Sequence, residues 1–321
     1  MGASGHVTTR KPLCGAAPGY RSKISTSAVV KGSGMAGITP EVAERVYAAT
    51  ISGYGTGAPA AVRGALGIGE TRFGGGVALA VRADPSRCWS LAAGFGFTEP
   101  VTAGLVGRIT DFYRAAGVTS ATLQLAPSVL PADWPALAEA AGRVRQPPWV
   151  KIGAAAEEVA APRPATDLVI RRILGDELGR WADVVLAGSG LPAGLQGMIT
   201  GAMVRPGVAA YAAFDGTELV ATGGLRVHED VAHFFSGATL PHARRRGAQS
   251  ALLAERARAA VAAGCRLLVG ETTGEGPGEH NSSLRNVLRA GFGKLYEVQN
   301  WLWRPGYLGV RTSGSPARSL G

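Results

Sequence analysis

Residues 238–253 read Ala238-Thr239-Leu240-Pro241-His242-Ala243-Arg244-Arg245-Arg246-Gly247-Ala248-Gln249-Ser250-Ala251-Leu252-Leu253. The stretch runs from the end of a strand, through a tight basic loop, into an amphipathic helix. Upstream, Val231-Ala232-His233-Phe234-Phe235-Ser236 is short, apolar and aromatic, as strands are. Downstream, Leu252, Leu253, Ala257, Ala260 and Val261 recur at helical spacing until Gly264. Gly247 stands where the backbone must turn sharply and lie close to something. Free N–H groups at a helix start, a positive dipole end and three arginines make a site for phosphate or pyrophosphate. The same Arg-Arg-Arg-Gly run is also what a solvated turn looks like, so its surroundings must decide.

The strand, the loop with Arg244 and Gly247, and the helix start resemble the acyl-CoA-binding motif of the GNAT acyltransferase superfamily. In that family a Gln/Arg-x-x-Gly-x-Gly/Ala loop joins the fourth strand to the third helix, and its amides cradle the CoA pyrophosphate. The resemblance implies that Arg244, Arg245, Arg246, Gly247, Ala248, Gln249 and Ser250 bind acyl-CoA. Gln249 departs from the pattern, which has a small residue there; its side chain would crowd the phosphates or hydrogen-bond to them. A second landmark, Asn281-Ser282-Ser283-Leu284 through Gly291-Phe292, is similar to the family's Asn-x-x-Ser/Ala helix followed by Gly-Phe. The aligned asparagine, which reaches the pantetheine arm in the family, is Asn281, with His280 the competing alignment. Asn281 precedes a helix and is equally placed to be its N-cap.

The chain has 321 residues, enough for two domains of average size. A hydrophobic fraction of 46% and a charged fraction of 17% describe a globular protein. Net charge is +10, mostly arginine, which fits either a compositional taste for Arg, Ala and Gly or a polyanionic ligand such as CoA or nucleic acid. Cys14, Cys88 and Cys265 are isolated and odd in number, without metal-ligand spacing. That fits a cytoplasmic protein in a reducing compartment. No apolar run reaches the ~18 residues of a membrane span, and the basic N-terminus lacks the apolar core of a secretory signal.

Residues 1–37 read as a flexible basic tail. Thr39-Pro40-Glu41 opens a helix through about Thr50. The glycine-rich stretch 53–76 reads as loop, with a short helix near Val62–Leu66. Strands are predicted at 77–82, 122–126 and 149–152, and helices at 100–116 and 134–141. The loop before the Pro100 helix has no arginine and ends in Glu99, an acid that would repel pyrophosphate. Residues 38–153 therefore read as a GNAT-like domain that has lost its CoA site, or as an unrelated α/β domain. Ala154–Pro164 is the predicted linker. Residues 165–305 then run β-α-α-β-β-β-α-β-α-β, with a hairpin at Asp215-Gly216, and that is the order of the GNAT fold. Residues 306–321 read as a second tail. The fold class expected is α/β with a mixed sheet, in two tandem GNAT-like domains of which the C-terminal one is complete.

The resemblance implies direct acyl transfer, in which an amine attacks the thioester carbonyl and a strand N–H polarises its oxygen. Splaying of the fourth and fifth strands would expose backbone to which pantetheine adds like a strand; Ala238, Thr239 and Leu240 occupy those positions. The family's usual acid, a tyrosine in the last helix, falls at Val287 here. Tyr296 or Ser283 would replace it, or the thiolate would leave unaided. For the base, His233 and Glu271 are the candidates, against the plainer readings of a strand histidine and a strand-end carboxylate. Trp301 and Trp303 read as core or domain-interface packing.

The expectation is an N-acyltransferase that moves an acyl group, acetyl first, from acyl-CoA to an amine of a small molecule such as a secondary metabolite or antibiotic. No metal is called for. Two other readings stand: a GNAT-fold transferase taking its acyl group from aminoacyl-tRNA, and a non-catalytic protein that binds CoA or a small molecule.

Overall fold

The computed structural model describes residues 37–275 and 279–306; the two predicted tails lie outside the described residues except at Gly37 and Gly306. The first half comprises helix α1 (Pro40–Gly57), α2 (Ala60–Leu66), strands β1 (Ile68–Phe73), β2 (Gly76–Val81) and β3 (Leu91–Ala93), α3 (Ala103–Ala115), β4 (Ala121–Leu125), α4 (Trp134–Ala140) and β5 (Arg143–Ala155). A one-turn helix, α5 (Ala156–Ala160), follows. The second half comprises β6 (Val169–Ile173), α6 (Leu178–Ser189), α7 (Gln196–Met203), β7 (Val208–Asp215), β8 (Glu218–His228), β9 (Val231–Thr239), α8 (Ala248–Ala262), β10 (Leu267–Thr273), α9 (Ser282–Arg289) and β11 (Gly293–Trp303). This second order is the predicted one, element for element.

The first half departs from expectation in several places, among them β3, three buried residues that no predicted strand covered. α1 runs on to Gly57, because its glycines permit close packing: a Cβ on Gly57 would lie 2.3 Å from the carbonyl oxygen of Gly201 on α7. The stretch read as loop contains β1, a half-exposed strand carrying Gly69, Glu70 and Arg72, whose mixed composition hides the period of two. β5 begins six residues before the predicted strand. Its pairing with β11 skips between Val298 and Asn300, opposite Pro147 and Pro148, which have no N–H to give a ladder. The predicted linker 154–164 holds the end of β5 and α5, whose Ala156 and Val159 are buried.

All eleven strands form one sheet, in the order β1-β2-β3-β4-β11-β5-β10-β9-β8-β7-β6. The two halves have exchanged their last strands. β11 lies beside β4 of the first half, β5 lies beside β10 of the second, and the two pair antiparallel with each other. Trp301 therefore packs edge-on to Trp134 of the first half, with ring centroids 5.2 Å apart. This is the interface packing expected of it. One face of the sheet carries α1 with α6 and α7, around Ile51, Trp181 and Ile199; the other carries α8 over Ala232 and Phe234. Cys265 is a buried free thiol.

Candidate functional site

β9 and β10 run parallel and pair at four positions, ending at Phe234 and Gly270. Beyond that point β9 continues to Thr239 and β10 to Thr273 with no pairing between them, so the strands part. On its other edge β9 bulges: Ser236 and Gly237 stand opposite Gly223 alone, and Ser236 takes a left-handed φ of 50°. The bulge is braced from both faces. The Tyr54 hydroxyl of α1 lies 3.2 Å from Ser236 Oγ. From α8, Gln249 Nε2 donates to the Ala238 carbonyl at 2.8 Å and to Thr239 Oγ1 at 3.0 Å. Arg256, buried without a carboxylate, donates to the carbonyls of Leu252 and Gly224. Burial pulls its guanidinium down to about 9.

The predicted phosphate loop lies between Thr239 and α8. Gly247 has φ of 79°, and a Cβ there would lie 2.4 Å from the Ala165 carbonyl oxygen, so the close neighbour anticipated for it is its own chain. Because it is glycine, it provides no side-chain cap for α8. Ala248 is buried, Ser250 half-buried and Arg245 exposed. Arg246 is engaged by Asp167 and Asp215 and holds both carboxyls below their usual value. Arg244 Nε donates to the Thr239 carbonyl at 3.4 Å. Gln249, whose side chain was expected to crowd or bond the phosphates, turns to the strand bulge instead. Leu240 donates its N–H to the Val220 carbonyl. Asn281 accepts from the N–H groups of Ser283 and Leu284 and donates to Thr273, so its cap role is realised in full.

The three candidate catalytic residues come together where β9 and β10 part. Glu271 is the first residue of β10 past the last pair. His233 Nε2 bonds its two oxygens at 2.9 and 3.1 Å. Across β5, Lys151 is the register partner of both Glu271 on β10 and Tyr296 on β11. Above this row lies α1. Its Glu44 accepts from the Tyr296 hydroxyl at 2.9 Å and sits 3.4 Å from Lys151 Nζ, which is 3.7 Å from Glu271. Tyr47 places its ring 3.5 Å beneath the Lys151 ammonium. Thr50 Oγ1 lies 2.8 Å from His233 Nδ1 and 3.2 Å from the Val46 carbonyl. An ionised Glu271 only accepts, so Nε2 carries a proton, and the single Thr50 proton goes to one of its two neighbours.

Glu44, Lys151, His233 and Thr50 are all buried, whereas Glu271 and Tyr296 keep some contact with solvent. Burial would raise the Glu271 carboxyl, but His233 and Lys151 outweigh it and hold the group below its ordinary value. Burial, then the Glu44 charge, raises the Tyr296 hydroxyl well above the usual phenol; burial and Glu271 do the same for Tyr47. Sequence reasoning missed Glu44, Tyr47, Thr50 and Lys151. The last had a signal: a lysine between Val150 and Ile152 on a closing strand needs a buried carboxylate. No group of three or more His, Cys, Asp or Glu placed to hold a metal occurs among the described residues. No helix among them is long and apolar enough to cross a membrane.

No protein-family model and no curated protein matches the chain. Solved structures do match in fold. A GCN5-related N-acetyltransferase from Kribbella flavida superposes with a TM-score of 0.56 at 16% identity, over 84% of this chain and 97% of its own. A second, from Sphaerobacter thermophilus, gives 0.51 at 15% identity over 67% and 73%. A tandem GNAT protein from the clavulanic acid biosynthesis pathway gives 0.50 at 18% identity over 71% and 78%. The chain has the tandem GNAT fold, two GNAT-like units in one mixed sheet.

Proposed function

We propose that this tandem GNAT-fold chain is an N-acyltransferase that moves an acyl group, acetyl first, from acyl-CoA to an amine of a small molecule. The observation that carries the reading is the parting of β9 and β10 with Glu271 and His233 bonded to each other at its apex. The free edge of β9 past Phe234 offers backbone groups to a pantetheine arm. The α8 start, with no side-chain cap, offers N–H groups to a pyrophosphate. Turned toward the bulge, Gln249 leaves that helix end clear. In the first half, the loop before α3 carries Glu99 and no arginine, which supports a half that does not bind CoA.

In the reaction the amine nitrogen bonds the thioester carbon, and a β9 N–H stabilises the oxyanion. Glu271, kept ionised and backed by His233, takes the ammonium proton. The C–S bond then breaks, and the thiolate leaves unaided and is protonated by water. Tyr296 gives its hydroxyl to Glu44, and Ser283 is exposed on α9, so neither is assigned the acid role. Acyl-CoA acts here as co-substrate and no metal is required.

Thermal unfolding with and without CoA, acetyl-CoA and a longer acyl-CoA tests the donor. A ligand at 100 times its Kd stabilises the fold by about 2.7 kcal/mol. Thiol release from acetyl-CoA with an amine panel tests the chemistry, with Glu271→Gln expected to lower kcat at least about 100-fold. No shift with any CoA species and no thiol release would overturn the reading.

A further inference from the structure

Arg226 is the register partner of His233, so its side chain leaves β8 on the face that α1 covers. It is half-buried, and a Cβ added to Gly53 of α1 would lie 3.2 Å from its Nη1. Its guanidinium makes no hydrogen bond and no ion pair with any described residue. The preceding residue of α1, Ser52, receives Arg72 of β1, so the first half brings a second guanidinium to the same part of α1. Arg72 and the exposed Arg205, on the turn before β7, each act on Arg226 as a like charge. The carboxylate in this group is Glu70, whose Oε1 is taken by Ser52 at 2.6 Å and by Arg72 at 3.3 Å. Burying one guanidinium against a helix while two others repel it costs free energy, which an anion between them recovers. Burial, then Arg205 and Arg72, lowers the Arg226 guanidinium accordingly. Thr50, the His233 partner, is one helical turn from Gly53.

Resting on the acyltransferase reading, we infer that the acceptor carries an anionic group, and that Arg226 with Arg72 and Arg205 binds it at the seam between the halves. An amine bearing a carboxylate is the ligand class this fits: the carboxylate takes the bidentate guanidinium fork, and the amine faces the Glu271 apex. A phosphonate in place of the carboxylate would use the same donors.

The test uses the full chain and three matched acceptors on one carbon frame: an aminocarboxylate, its carboxamide and the corresponding aminophosphonate. With acetyl-CoA, the aminocarboxylate is expected to show a KM at least about tenfold below that of the carboxamide. The aminophosphonate arm tells which anion is preferred. In Arg226→Gln and in Arg226→Lys that KM ratio is expected to fall toward one, the lysine variant retaining part of it. Equal KM for carboxylate and carboxamide in the wild type, or an unchanged ratio in both variants, overturns the inference while the acyltransferase stands. If no amine releases thiol, the acyltransferase reading fails by itself. Calorimetric titration of the aminocarboxylate and carboxamide alone then decides the anion site, and equal or absent binding of the two overturns it.

Discussion

Lys151 is the residue on which the central cluster turns. It sits between two carboxylates and over an aromatic face, with almost no solvent contact. Removing one partner of a buried ion pair strands the others, so Lys151→Met should destabilise the protein by about 3–5 kcal/mol, read by urea denaturation. The cluster also sets the pH limits of the fold. Glu271 has a lowered folded value, so its contribution is present above the ordinary carboxyl range and is lost as pH falls through the folded value. Tyr47 and Tyr296 are raised, so theirs is present below about pH 10 and is lost above it, where the unfolded phenols ionise. Stability measured from pH 8 to pH 11 should fall more steeply in the wild type than in Tyr296→Phe; parallel curves would sink the assignment. His233, Glu271 and Tyr296 were legible because each stands at a strand position that the fold order makes meaningful. Glu44 and Thr50 were not: on α1 they interleave with Val46, Tyr47 and Ile51, and nothing in helical period says that a polar residue there is buried against another strand's histidine.

At the scale of elements, the informative contrast is between Asn281 and Gln249. Both belong to stretches that resemble ligand-binding motifs, and both spend their side chains on their own backbone. Asn281 caps α9 and ties it to the end of β10. Asn281→Ala should therefore cost about 1–2 kcal/mol of stability in chemical denaturation; a loss confined to acyl-CoA affinity, with stability unchanged, would mean that the cap is incidental. The helices and strands of the second half were readable because amphipathic period, turn residues and order agreed with one another. β1 and the end of α1 were not. Glycine reads as a breaker when the chain is taken alone, and only the approach of Gly201 or Glu70 shows why a helix keeps it. Pro147-Pro148 misled in the same way, because a proline is compatible with a strand wherever the ladder skips.

The exchange of last strands belongs to the whole molecule and leaves no mark in the sequence, since alternation of period two says which face is buried but not which neighbour is paired. It has a consequence for stability. β11 brings Tyr296 to Glu44 and Trp301 to Trp134, and β5 brings Lys151 to Glu271, so each half completes the other's sheet and the central cluster draws on both. A chain of 321 residues with two structural repeats would ordinarily unfold in two steps. Here neither half can open without baring the edge and core of the other, and a single transition is expected in urea. Tryptophan fluorescence, which reports side chains of both halves, Trp134 in the first and Trp181 in the second among them, and far-ultraviolet circular dichroism should trace the same curve. Two separated transitions would mean that the exchanged strands are held loosely. In that event residues 165–305 alone should also fold, whereas the shared sheet predicts that this fragment, lacking β5 beside β10, associates or remains unfolded.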